Sequence, residues 1–380
     1  MTLAARADRH LSPRARSTIR FVVGIALAGA AFYVLNGQRN ELIGASARLA
    51  NLDVGWLLVA IALEIASFVS FAALQRHLLS VGRVGVPLRF MTLLTFASGA
   101  IADSVPAGPA FSSVYAFRRY RRRGANDAVA GWTLVATFVC ASLGLGLVAC
   151  AGVAIAAQEG AAYDLVPVAV GVLVLSLVAD AIVWQRRWIV RLAAPLLEIA
   201  HRLVGRPRRH GADVVAGLLA QLAAVRPTWH DFARTVLFAL GNWLFDCGCL
   251  AASFAAVDAP IPWRALLLAY GAAQLAANLP ITPGGLGVVE GSLTVALVAF
   301  GGGELSTVAA VLCYRIISFW GFLPFGWASF GVLAFDDRRR ARAAHPSMWR
   351  RRPGAPASVR EPQTIESVPS PVHAMGEADQ

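Results

Sequence analysis

The chain has 380 residues, 57% of them hydrophobic and 15% charged, and its net charge of +12 is carried by arginine alone because the sequence contains no lysine. A water-soluble domain carries about 25% charged residues, and a Walker-type phosphate loop needs its lysine, so both are excluded. The basic residues lie in short loops between apolar runs of roughly 20 residues, the length that crosses a bilayer, which favours a membrane protein over a nucleic-acid binder.

In chain order, residues 1–18 form a basic N-terminus with a first apolar span behind it at 19–35. Arginines leading into FVVGIALAGAA also have the form of a signal peptide, with Ala28-Gly29-Ala30 as a cleavage site; an uncleaved first span is the expectation. Further full spans fall at about 54–74, 128–157, 164–184, 234–256 and 305–333. Two other apolar segments, about 90–117 and 263–303, are each interrupted near the middle by proline and glycine. Between the halves lies 186–230, whose LLEIAHRLV and VVAGLLAQLAAV stretches read as a cytoplasmic amphipathic linker on the membrane surface or as a solvated loop. Residues 336–380 are arginine-rich and then rich in Pro, Ser and Glu, a composition that predicts disorder. The arginines nearest the membrane favour anionic lipid head groups.

Arginine placement sets the topology. If both interrupted segments enter and leave on one side, the N-terminus, the 75–89 loop, the 118–123 cluster, the 186–234 loop and the C-terminal tail all face the cytoplasm. Those regions hold 30 of the 34 arginines, as positive-inside bias requires. The predicted fold is therefore an all-α polytopic membrane protein with about six full transmembrane helices and two re-entrant broken-helix hairpins. Its hydrophobic body spans 19–335, with both termini in the cytoplasm.

Broken helices at membrane depth are tolerated only where protein or a wet cavity covers them, and a matched pair marks a binding site between inverted repeats. The first hairpin would dip in from the cytoplasm and the second from outside. Their breakers, SVPAGP (Ser104–Pro109) and NLPITP (Asn278–Pro283), both space two prolines three apart. The repeats are then about 54–157 and 234–333. After the second breaker, Gly284, Gly285 and Gly287 present backbone N–H groups at the start of a half-helix, Val288–Phe300, where an anion such as phosphate is favoured. The alternative is a tight hairpin that satisfies itself and binds nothing.

Charged residues inside apolar spans cost about 2.5 kcal/mol or more unless paired or hydrated. At 1.5 Å rise per residue, Arg315, Glu290, Asp246 and Glu64 come from four elements to one depth, about 15 Å from the outer face. Arg315 is expected to pair with Glu290 or Asp246, either as a site or as a fixed strut. Glu290, three residues after Gly287, also suits a helix start. Glu64 reads as a structural partner or a ligand contact. Asp103 lies beside the first breaker, and Asn242 and Trp243 read as packing. All seven histidines (His10, His77, His201, His210, His230, His345, His373) fall outside the drawn spans, which leaves no imidazole for a metal or a proton relay at depth. Cys140, Cys150, Cys247, Cys249 and Cys313 read as buried thiols.

NLPITPGGLGVVEG (Asn278–Gly291) and YRIISFWGFLPFG (Tyr314–Gly326) resemble the flippase-like transmembrane domain of lysylphosphatidylglycerol synthases, the multiple peptide resistance factors. SVPAGPAFSSVYAFRRYRRRG (Ser104–Gly124) is similar to the matching first-half signature of stand-alone actinobacterial members. The resemblance covers roughly 20–335. It implies opposed re-entrant hairpins and movement of lipids between leaflets, and it highlights Pro106, Gly108, Pro280, Pro283, Gly284, Gly285, Gly287, Glu290 and Arg315. Pro109-Ala110 stands where other branches carry Gly-Glu. No aminoacyl-transfer domain follows Phe335 in this sequence, so lysyl-lipid synthesis is not implied.

The leading expectation is a lipid translocase whose substrate-binding residues are those nine with Glu64, Asp103 and Asp246. It would use no metal, cofactor, nucleotide or catalytic residue, and its partners would be membrane lipids with anionic or lipid-linked head groups. A non-transporting lipid-binding or envelope-assembly partner fits the same features, as does a homo-oligomer. An intramembrane transferase is the weaker alternative, because HExxH and GxSxG patterns are missing and only Asp103, Asp246 and Glu290 could serve it.

Overall fold

The computed structural model describes residues 52–105, 108–157, 227–277 and 283–344, with isolated positions between 170 and 178 and Val225. The predicted spans 19–35 and, for the most part, 164–184, most of the 186–230 linker, the tail past 344, Pro106 and Pro280 lie outside the described residues. All regular structure among the described residues is helical, and four helices are long and apolar enough to cross a membrane.

The first half runs α1 (Val54–Val81), α2 (Leu88–Ser104), α3 (Gly108–Arg122) and α4 (Asp127–Ala157). The second repeats the plan: α5 (Trp229–Ala256), α6 (Trp263–Ala277), a tight turn at Pro283–Gly285, α7 (Val288–Ala299), and then α8 (Glu304–Arg315) continuing through a π-helical stretch into α9 (Phe322–Ala344). Each half is thus one long helix, two short helices about a breaker, and a second long helix. Two large hydrophobic clusters are each centred on one half, with Ala60 and Val148 of the first half joining the second cluster and Ala239 and Leu333 of the second half joining the first. One gathers Leu78, Met91, Leu94, Tyr120 and Cys140 from α1–α4, and the other Leu250, Phe254, Tyr270, Leu293 and Val311 from α5–α8.

Capping residues set two helix starts. The Asp53 side chain accepts from the Trp56 N–H at the head of α1 (3.1 Å). Thr228 and Asp231 form a reciprocal capping box at the head of α5, so α5 begins before the 234 boundary expected from hydropathy alone. That arrangement satisfies amide groups that a helix end otherwise leaves orphaned.

α1 and α5 are each 28 residues long and pack antiparallel. The Asp53 N–H donates to the Ala256 carbonyl at one end, and His77 meets Asp231 at the other (3.3 Å). At the centre, Ser67 Oγ donates to Asn242 Oδ1 (3.2 Å). Those two residues are 175 positions apart, the same offset that separates Val54 from Trp229, so equivalent positions of the two halves touch where the helices cross. Elsewhere, each half's last long helix packs against the first short helix of the other half, at glycines. Gly152 of α4 abuts Leu267 and Leu268 of α6, and Gly326 of α9 abuts Phe96 and Ala100 of α2.

Two expectations are corrected. α1 extends to Val81 and α5 starts at Trp229, which takes His77 and His230 into helices at their ends. Disorder was expected from residue 336, yet α9 continues to Ala344. The physical reason is that Arg and Ala are strong helix formers, and extending an existing helix avoids the nucleation cost.

Candidate functional site

The second breaker builds its turn from glycines. Gly284, Gly285 and Gly287 have φ of 59°, 66° and 79°, the left-handed region that L side chains avoid. Gly284 also lies so close to the Phe319 ring that a Cβ would collide with it. The turn packs on α2 of the first half, which brings the two broken segments together. In the first breaker the approach is closer still: Gly108 sits against the Ala102 backbone, leaving no room for a side chain.

Arg315, at the C-terminal end of α8, is the centre of the arrangement, with only 9% of its side chain exposed. Its Nε donates to Glu290 Oε1 (2.7 Å) and its Nη2 to the Gly284 carbonyl (3.1 Å). The guanidinium also lies over the Phe319 ring, 4.6 Å from its centroid. Among the described residues Nη1 makes no hydrogen bond. The π-helical stretch Ile316–Gly321 follows directly; such stretches recur at functional positions because they re-aim side chains.

Glu290 faces both ways. Its Oε1 takes the Arg315 Nε–H, and its Oε2 accepts from the Gly287 N–H (2.8 Å). From sequence alone, the glycine N–H groups are available to an external anion or to a self-satisfying turn. At Gly287 the chain's own carboxylate already occupies that place, so the helix-start role and the ion pair belong to one residue. Of the two partners expected for Arg315, Glu290 is the direct one.

Asp246 on α5 is held by donors from two other helices. Its Oδ2 accepts from the Tyr270 hydroxyl (2.6 Å) and Gln274 Nε2 (3.1 Å), and its Oδ1 accepts from the Tyr314 hydroxyl (2.9 Å). Glu64 of α1, buried at 7% exposure, lies one turn from Ser67 as Asp246 lies one turn from Asn242, so the antiparallel packing of α1 and α5 sets the two carboxyls at one level. The Arg315 charge faces Asp246, Glu64 and, from α2, Asp103. Glu64, Asp103, Asp246, Glu290 and Arg315 therefore share one electrostatic neighbourhood. Pro283, Gly284, Gly285 and Gly287 form its turn.

Composition and depth alone missed Tyr270, Gln274, Tyr314 and Ser67. A signal existed for three of them: Tyr270 and Gln274 lie four apart on one face of α6, and Tyr314 adjoins Arg315. Asn242 and Trp243 do more than pack, since Asn242 accepts from Ser67 and Trp243 Nε1 donates to the Ala141 carbonyl (2.8 Å). Among the described residues, no group of three His, Cys, Asp or Glu side chains is placed to hold a metal ion, and none of the five cysteines is in a disulfide.

Long apolar helices, two broken helix pairs and a buried ionic cluster define a polytopic helical membrane protein. The sequence model of the lysylphosphatidylglycerol synthase transmembrane region matches residues 20–326, and the chain belongs to that family. No curated protein matches the chain. A membrane-lipid-related function follows from the family.

Proposed function

We propose that the protein is a lipid translocase of the bacterial cytoplasmic membrane, passing a phospholipid or lipid-linked head group between leaflets through a polar cavity at mid-depth. In this reading the two breakers are the tips of re-entrant hairpins that dip in from opposite faces. The antiparallel α1–α5 pair, equal in length and touching at equivalent residues, supports an inverted repeat. Alternating access commonly rocks such repeats about the site between them.

The observation that carries the reading is the buried Arg315 at the second breaker, paired with Glu290 yet keeping Nη1 free of hydrogen bonds among the described residues. A guanidinium with an open edge takes a phosphate oxygen well. Glu290 holds the arginine in place when no head group is bound, and the acyl chains stay in lipid. No metal, nucleotide or covalent step is required of these residues.

The test is translocation of a head-group-labelled anionic phospholipid in proteoliposomes. Arg315→Ala and Glu290→Gln are expected to lose translocation while remaining folded by circular dichroism. Undiminished transport in both variants would remove the assigned roles. Binding of the lipid without transport by the wild type would instead favour a non-transporting lipid-binding role.

A further inference from the structure

We propose that Glu64 and Asp246 form an acid–carboxylate pair that binds a single proton at the crossing of α1 and α5, and that release of this proton is coupled to head-group passage. The coupling half rests on the translocase reading; the proton site does not.

Donor arithmetic at Asp246 carries the argument. Three neutral donors, the Tyr270 and Tyr314 hydroxyls and the Gln274 amide, already point at its two oxygens. A carboxylate surrounded by donors is the ionised form, because a carboxylate only accepts. The residue of α1 at the same level, one turn from the Ser67–Asn242 contact, is Glu64, another buried carboxyl. Two ionised carboxylates in contact repel and do not both persist in a buried site, so such a pair holds one proton. We assign the proton to Glu64: its Oε2 is buried with no hydrogen-bond partner among the described residues, a cost that a neutral carboxyl bears better than a carboxylate, and its O–H is then the donor toward Asp246. A metal cation is disfavoured because the tyrosine and amide hydrogens are turned inward to the same oxygens.

The titratable and charged groups facing the pair come from each packed element. Cys249 of α5 and Tyr314 and Arg315 of α8 interact electrostatically with Glu64, and Cys247 of α5, Tyr270 of α6, and Tyr314 and Arg315 of α8 with Asp246. Glu290 of α7 and Asp103 of α2 are the other acids grouped about Arg315. When the pair releases its proton, the Glu64 O–H bond breaks, the electron pair stays on the carboxylate and the proton passes to water. Repulsion then appears between α1 and α5 at the contact where the halves meet. At the same time the unpaired negative charge competes with an anionic head group for Arg315.

Infrared spectroscopy of the full chain in nanodiscs, with carboxyl-labelled glutamate, tests the proton site. A protonated-glutamate carbonyl band is expected at neutral pH. It should vanish in Glu64→Gln, persist in Glu290→Gln, and move to higher frequency in Asp246→Asn as the strong acceptor is lost. A wild-type spectrum without the band, a band that survives Glu64→Gln, or one unmoved by Asp246→Asn overturns the pair. In proteoliposomes, wild-type translocation should respond to an imposed pH gradient and Glu64→Gln should lose that response. Translocation indifferent to the gradient overturns the coupling and leaves the translocase reading intact. A protein that moves no lipid takes coupling and translocase reading down together, with the infrared result still deciding the proton site.

Discussion

The two broken segments share a plan and differ in chemistry. In both, a pair of short helices meets at a proline-containing turn with a glycine in tight contact. The second segment carries three left-handed glycines, a carboxylate on its second short helix and a buried arginine on the helix that follows. In the first, Ala110 follows Pro109 at the start of α3, and Asp103 is the charged residue of α2 next to the turn. Its cationic groups gather at the far end of α3, where Arg119 donates to the Leu333 carbonyl and Arg121 pairs with Asp127. A repeated backbone therefore supplies a symmetrical frame, and one copy carries the ionic machinery. The other supplies a wall and Asp103, with Glu64 on the long helix that precedes its broken segment, both within the field of Arg315.

Substitutions that separate frame from machinery sharpen this contrast. The largest effect is expected at Arg315→Ala, which removes the hydrogen bonds of a buried guanidinium to half-buried Glu290 and to the Gly284 carbonyl and, at about 1.5–3 kcal/mol for each bond to a charged group, should cost about 3–5 kcal/mol in unfolding measured in detergent. Adding Glu290→Gln to it should recover part of that loss, since the carboxylate left without its partner is gone. Gly284→Ala comes next. A left-handed φ and the collision with Phe319 together should cost about 2–4 kcal/mol, read as a lowered thermal midpoint.

Tyr314→Phe removes one donor from Asp246 and should cost about 2 kcal/mol, as hydrogen bonds to charged groups do. The smallest effect belongs to the first segment. Asp103→Asn, with no hydrogen bond among the described residues, should change stability by no more than about 0.5 kcal/mol, while altering head-group affinity in a lipid-binding titration. A large destabilisation there would show that both segments carry structural ion chemistry.

Much of this arrangement was legible in the sequence because an apolar background exposes every exception to it. Proline and glycine cannot be helix filler at membrane depth, so the breakers were visible, and Glu64, Asp246, Glu290 and Arg315 were too costly to be incidental. Depth arithmetic brought them to one level, and the structure brings them into one neighbourhood. The polar groups with an apolar body stayed hidden. Tyr270 and Tyr314 look like core aromatics in a helix, and only the fold turns their hydroxyls to Asp246. The choice of Glu290 over Asp246 as the direct partner of Arg315 also needed the path of the turn. Likewise, Ser67 and Asn242 matter only once the starts of α1 and α5 align the repeats, and the start of α5 depended on a capping box that hydropathy does not register.

The opposed entry of the two hairpins is tested most directly by labelling single cysteines, introduced at exposed Arg122 and exposed Glu304 after replacing the native five, with a membrane-impermeant maleimide on intact cells and on inverted vesicles. Arg122→Cys should react only from the cytoplasmic face and Glu304→Cys only from the outer one. Labelling of both positions from the same face would contradict the account.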